Sequence, residues 1–262
     1  MRTRYVTSLA LALTLVVAAC SSGETPATSP SPSAARSSSS SPGAGTSTTS
    51  APARPGSTSS TPASFGYVPL WPFASVAAAE QWQREAVAGG HQPWRLDAGE
   101  VAVTFARQYL GFTEVTKVIR KKVTTNDAHV TVGWTIEGST GTVAVVHLVR
   151  IGSGTGRPWE VVGTDDTATF SLTRPRYGST VAGTITVGGR IAGVDESIRV
   201  TARQLSGVVG GYCCLPAGAA APWAVRLRLT NPKPGPITIV ASTGGHIADV
   251  ERFTVTGVRS GQ

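Results

Sequence analysis

Four histidines, one pair of adjacent cysteines and one pair of consecutive aspartates carry most of the reactive side chains in this sequence. The histidines are His91, His129, His147 and His246, and they are scattered. None has a second ligand at helical or hairpin spacing. His129 and His147 fall on neighbouring predicted strands, where a hydrogen-bonded structural role is expected. Catalysis there would need a cleft in which one of them meets a carboxylate. Asp165 and Asp166 form the one tight acidic pair. Consecutive strand residues point to opposite faces, so the two would not share a substrate as acid and base; a turn is the expected use. No Gly-x-Ser-x-Gly elbow lies between a strand and a helix. No glycine-rich phosphate loop follows a strand and opens a helix. The run from Ser242 to His246 reads as a hairpin turn. The expectation is therefore no catalytic residue, no metal site and no cofactor.

Cys213 and Cys214 sit in Gly210-Gly211-Tyr212-Cys213-Cys214-Leu215-Pro216, which reads as a loop. Three states are open: a vicinal disulfide, free or buried thiols, and pairing with another chain. A vicinal bond would stiffen the loop but close too short a ring to staple the fold.

The third cysteine has a different setting. Arg2 and Arg4 precede an apolar run, Leu9 to Ala19, that is broken only by Thr14. This run is too short to cross about 30 Å of hydrocarbon as a helix, which takes about 20 residues. It suits the core of a secretory signal. The run ends in Val17-Ala18-Ala19-Cys20, which resembles the lipobox of bacterial lipoproteins. The resemblance implies removal of residues 1–19 as a signal peptide and lipidation of Cys20. Diacylglycerol and palmitate chains would then hold the protein at the extracytoplasmic face of the cell membrane. From 21 to 64 the chain is almost all Ser, Thr, Pro, Ala and Gly. Such a segment cannot bury enough apolar surface to offset its ordering entropy. Residues 20–64 are read as lipid anchor and disordered linker, with a reach of roughly 35–40 Å.

The elements that must position any site follow from Phe65 onward. Ser75 reads as an N-cap to a helix over 76–88, with Ala78, Trp82 and Ala86 on one stripe. Asp97-Ala98-Gly99-Glu100 has capping-box spacing. Val101, Phe105 and Tyr109 follow at helical intervals, and Gly111 closes that helix. Val130, Val132, Trp134 and Ile136 alternate as a strand, Thr142 to Ile151 forms a second, and 158–164 and 167–172 form weaker ones. Residues 65–173 are therefore expected to be an α+β domain, with two helices against an antiparallel sheet. Five of the six tryptophans lie there, and core packing is their ordinary use. A concave sheet face could instead hold a pocket.

A seam is expected near Thr173-Arg174-Pro175-Arg176. Residues 174–262 show strands only, the clearest being Trp223, Val225, Leu227 and Leu229 in alternation with Ala224, Arg226, Arg228 and Thr230. Short strands at this density predict an immunoglobulin-like β-sandwich. Ile185-Thr186-Val187-Gly188-Gly189, Glu196-Ser197-Ile198-Arg199-Val200, Ala221-Pro222-Trp223 and Phe253-Thr254-Val255 resemble the immunoglobulin-like domain of bacterial spore-germination proteins. That resemblance implies a binding or spacing module in an exported protein.

The formal net charge is +8, but only Arg120-Lys121-Lys122 forms a basic run, read as a solvated face or strand edge. Aromatic residues do not interleave with basic ones, so a nucleic-acid partner is not expected. The functional expectation is a non-enzymatic binding or scaffolding lipoprotein of the cell envelope, whose partner is a protein, a peptide or wall glycan. A carrier of lipid or another small ligand, and a wall- or sugar-active enzyme, are the alternatives.

Overall fold

Alternating apolar and polar side chains build most of this molecule, so strands dominate it. A computed structural model describes residues 65–89, 92–193, 197–217, 221–246 and 248–261. The signal and linker segments, Cys20 and His91 lie outside the described residues. Strand accounts for 49% of the described residues and helix for 16%.

Helix α1 spans Val76–Gly89. A single 3-10 turn, Pro93–Leu96, leads to α2, Ala98–Thr104, and a π-helical turn, Phe105–Leu110, continues it. Then come β1 Lys117–Val123, β2 Asp127–Ile136, β3 Ser139–Arg150 and β4 Trp159–Thr164. They pair antiparallel in the order β1-β2-β3-β4. The remaining strands are β5 Thr180–Val181, β6 Thr184–Ile191, β7 Ser197–Gln204 and β8 Gly207–Pro216, followed by β9 Ala221–Arg228, β10 Gly235–Thr243 and β11 Arg252–Ser260. They form a five-stranded sheet, β5-β11-β10-β7-β8, and a two-stranded ribbon, β6-β9.

Local sequence explains the helical segment. The Asp97 carboxylate accepts from the Gly99 and Glu100 amides at 2.7 and 3.0 Å, so it caps α2 as its spacing predicts. The Asp97 amide bonds instead to the Trp94 carbonyl, so the box is not reciprocal. Val101, Phe105 and Tyr109 are all buried, and Gly111, at φ 90°, ends the run. Among the described side chains of α1, Ala79 and Trp82 are buried and pack with Phe73 and Ile151; Ala78 and Ala86 flank that cluster.

The expected fold class is overturned. An α+β domain followed by an all-β immunoglobulin-like sandwich does not describe this mostly-β molecule, with its two short helices and several sheets. The reason lies in β10 and β11. Ile237, Ile239 and Ala241 pack with Val258 toward the ribbon and its Val187, Val225 and Leu227. Val240, Phe253 and Val255 pack the other way, into one cluster with Phe105, Val130, Val146 and Val161. Both faces of the pair are thus covered, and the β1–β4 sheet shares its main cluster with it. Threonine disguises this in the sequence. Thr238, Thr254 and Thr256 read as polar yet are buried. Thr238 Oγ1 lies 3.1 Å from the Tyr109 hydroxyl, and Thr164 Oγ1 accepts from the Val255 amide at 2.7 Å. Two smaller expectations also change. Residues 167–172 form only an isolated bridge at Phe170. The predicted loop around Cys213 and Cys214 is part of strand β8.

Glu160 fixes the chain ahead of α1 to the sheet. It is fully buried, and its Oε2 accepts from the Phe73 amide at 3.1 Å, while Oε1 has no hydrogen-bond partner. Burial pushes its carboxyl well above the usual range, against the pull of backbone N–H groups at Phe73, Trp71 and Leu70 and of the Arg95 charge. The folded state thus holds this proton at pH values where the unfolded chain releases it. The resulting stability is complete below the ordinary glutamate range. It falls as pH rises, by about 1.4 kcal/mol per unit at most, until the raised folded value is passed.

Chemical denaturation across pH should therefore show Glu160→Gln losing this slope and gaining relative stability toward neutral pH. Glu160→Ala, which strands the Phe73 amide, should cost about 1–3 kcal/mol at acidic pH. Asp97→Ala should cost roughly 1 kcal/mol in the same assay, through loss of the cap.

Candidate metal centre

Register brings the site together. In β2 the alternation that buries Ala128, Val130 and Val132 turns Asp127, His129 and Thr131 to the opposite face. In β3 the same rule buries Val146 and Leu148 and turns His147 outward. His129 and His147 are directly paired across the two strands. Their rings stack with centroids 4.6 Å apart and 8° between planes.

Asp127 sits below both rings. Its Oδ1 lies 3.0 Å from His129 Nε2 and its Oδ2 lies 2.7 Å from His147 Nε2. The far side of His129 is held as well, with Nδ1 2.7 Å from Asp165 Oδ2. Asp165 stands just past β4, where its amide bonds to the Val145 carbonyl. Tyr67 meets the His147 ring edge-on at 5.8 Å. All four polar side chains are partly exposed, between 23% and 40%.

One ligand atom each from Asp127, His129 and His147 lies within 4.8 Å of the others. Two imidazoles and one carboxylate on adjacent strands match the donor set of a zinc-type site with an open position. Asp165 bonds to the other nitrogen of His129, which orients Nε2 inward. This is the usual outer support of a metal-binding imidazole. Chemically, the cluster can hold a divalent ion, or it can stand as a hydrogen-bonded network of its own.

A cleft of about 280 Å³ borders His147, lined in part by Tyr67, Gly163, Thr164, Asp166 and Tyr177. Gly163 is the β4 partner of His147, so the row of side chains ends there and the cleft begins. The cluster shared by the β1–β4 sheet and the β10–β11 pair is filled by side chains such as Phe105, Val130 and Val146, each at 0% exposure.

The other residues singled out by sequence lie elsewhere. Asp165 and Asp166 do part, as their adjacency implied. Asp165 serves His129, and Asp166 accepts from the Leu172 amide at 2.9 Å. Cys213 and Cys214 are joined as a disulfide on exposed β8, with Cα atoms 3.2 Å apart. His246 lies in a bend after β10. Of the tryptophans, Trp82, Trp159 and Trp223 are buried, and Trp71 stacks on Trp94 at 5.5 Å.

Sequence reasoning assigned no metal ligand. It weighed His129 and His147 as neighbours but did not use Asp127. That residue stands two positions before His129, which is enough to place it on the same strand face.

Compared with models of known protein families, with curated proteins and with solved structures, the chain matches none.

Proposed function

We propose that the protein is a membrane-tethered, extracytoplasmic binding module that holds a divalent transition-metal ion between β2 and β3. Asp127, His129 and His147 are its ligands. The convergence of those three ligand atoms within 4.8 Å carries the reading. The setting outside the cell rests on the signal-like run, the lipobox-like Cys20 and the long linker. Among the described residues no helix is long and apolar enough to cross a membrane. On that reading the body is held by its lipid, and the three donors bind the ion.

The donor types select the ion. Imidazole nitrogen suits zinc, copper and nickel, whereas calcium and magnesium take oxygen cages. Zinc–nitrogen bonds of about 2.0–2.1 Å need the three donors to face a common point. Asp127 bridges the Nε2 atoms of the two stacked rings, which brings the three donors toward one point.

Titration calorimetry of zinc into the full-length chain in detergent should show one site per molecule. His129→Ala, His147→Ala and Asp127→Asn should each weaken it by about 100-fold or more. Asp165→Asn, which removes support without removing a ligand, should weaken it by about 10–100-fold. No zinc uptake, or uptake indifferent to the three ligands, would contradict the reading.

A further inference from the structure

Strand β1 runs beside the metal centre, and its register determines which of its cations face that centre. Lys122 pairs directly with His129, and Arg120 pairs with Thr131. Directly opposed residues of an antiparallel pair share a face, with Cβ atoms about 5 Å apart. One row of side chains thus crosses the sheet from Lys122 through His129 to His147. Lys121 points the other way. It pairs with Val130, and its ammonium lies 3.3 Å from Asp97. Among the described residues, Lys121 is the one β1 cation in an ion pair. Arg120 and Lys122 are exposed and stand on the face of the metal centre.

The charges on that face do not balance once a metal is present. Asp127 and Asp165 offset the two charges of the ion. Arg120 and Lys122 then leave an excess of positive charge beside a metal with an unfilled position. A neutral ligand such as water would fill the position but leave the excess uncompensated. An oxyanion does both. A tetrahedral phosphoryl group offers one oxygen to the metal and others to an arginine fork and a lysine, the combination those groups bind best.

We propose that a phosphoryl oxyanion completes the coordination of the metal held by Asp127, His129 and His147, and that Arg120 and Lys122 hold it from β1. This inference rests on the metal-binding reading above. The phosphoryl group belongs either to a free phosphate or to a glycerol phosphodiester, the chemistry shared by lipid head groups and anionic envelope polymers. Metal and anion bind together; neither lysine nor arginine suffices alone in high-dielectric solvent, where exposed charge pairs are weak.

The test is calorimetry on the full-length chain loaded with one equivalent of zinc, titrated with inorganic phosphate and separately with a short glycerol phosphate oligomer. Binding of phosphate to the zinc-loaded chain and not to the metal-free chain is expected. The Arg120→Gln/Lys122→Gln double variant should bind phosphate at least about tenfold more weakly while its zinc affinity stays unchanged. Tighter binding of the oligomer assigns the site to a phosphodiester, and weaker binding assigns it to free phosphate; either supports the proposal. Zinc bound without phosphate, phosphate bound equally without zinc, or indifference to the double variant overturns it and leaves the metal reading standing. Failure to take up zinc at all overturns both.

Discussion

The register of β2 against β3 is the constraint on which the rest depends. A shift of one residue would turn Ala128, Val130 and Val132 outward and drive His129 into the core. The apolar cost of that slip falls on the cluster shared with Phe105, Val146 and Val240. The same pairing that protects this core stacks His129 on His147 and lets Asp127 bridge their Nε2 atoms. Stability and site geometry therefore have one origin, and the polar face is positioned by the burial of the face behind it.

Layering supplies the rigidity. The β10–β11 pair is covered on both sides, by the ribbon on one and by the β1–β4 sheet with its helices on the other. Polar links cross these layers where apolar contact alone would allow sliding. Tyr109 meets Thr238, Thr164 takes the Val255 amide, and the Tyr177 hydroxyl accepts from the Val68 amide at 2.8 Å. Asp165 follows directly after Thr164, so the residue that orients His129 is anchored beside one of these links. Glu160, on the same strand β4, ties down the segment before α1.

Much of the local structure was legible in the sequence because its signals are local. The Asp97 cap, the Val101-Phe105-Tyr109 stripe and the alternation of Trp223 to Leu229 each depend on a few neighbouring residues. In sequence β1 shows only as a basic run suited to a solvated face or strand edge, since Lys117-Val118-Ile119-Arg120-Lys121-Lys122-Val123 is exposed throughout and has no buried face to mark it. β8 was missed because Gly210-Gly211 and Cys213-Cys214 look like turn chemistry. The expected fold class fails at Thr238, Thr254 and Thr256, whose hydroxyls disguise strands buried on both sides. The candidate metal centre was half legible. Strand periodicity alone puts Asp127 and His129 on one face, but the partnership with His147 and Asp165 depends on register and on a strand end 36 residues away from His129.

The central claim is that one divalent ion binds at Asp127, His129 and His147. Zinc-edge X-ray absorption of the full-length chain loaded with one equivalent measures the donors directly. The account predicts two imidazole nitrogens with oxygen donors completing the shell, and loss of the imidazole scattering in His129→Ala. A shell of oxygen alone, or one containing sulfur from Cys213 and Cys214, would contradict it.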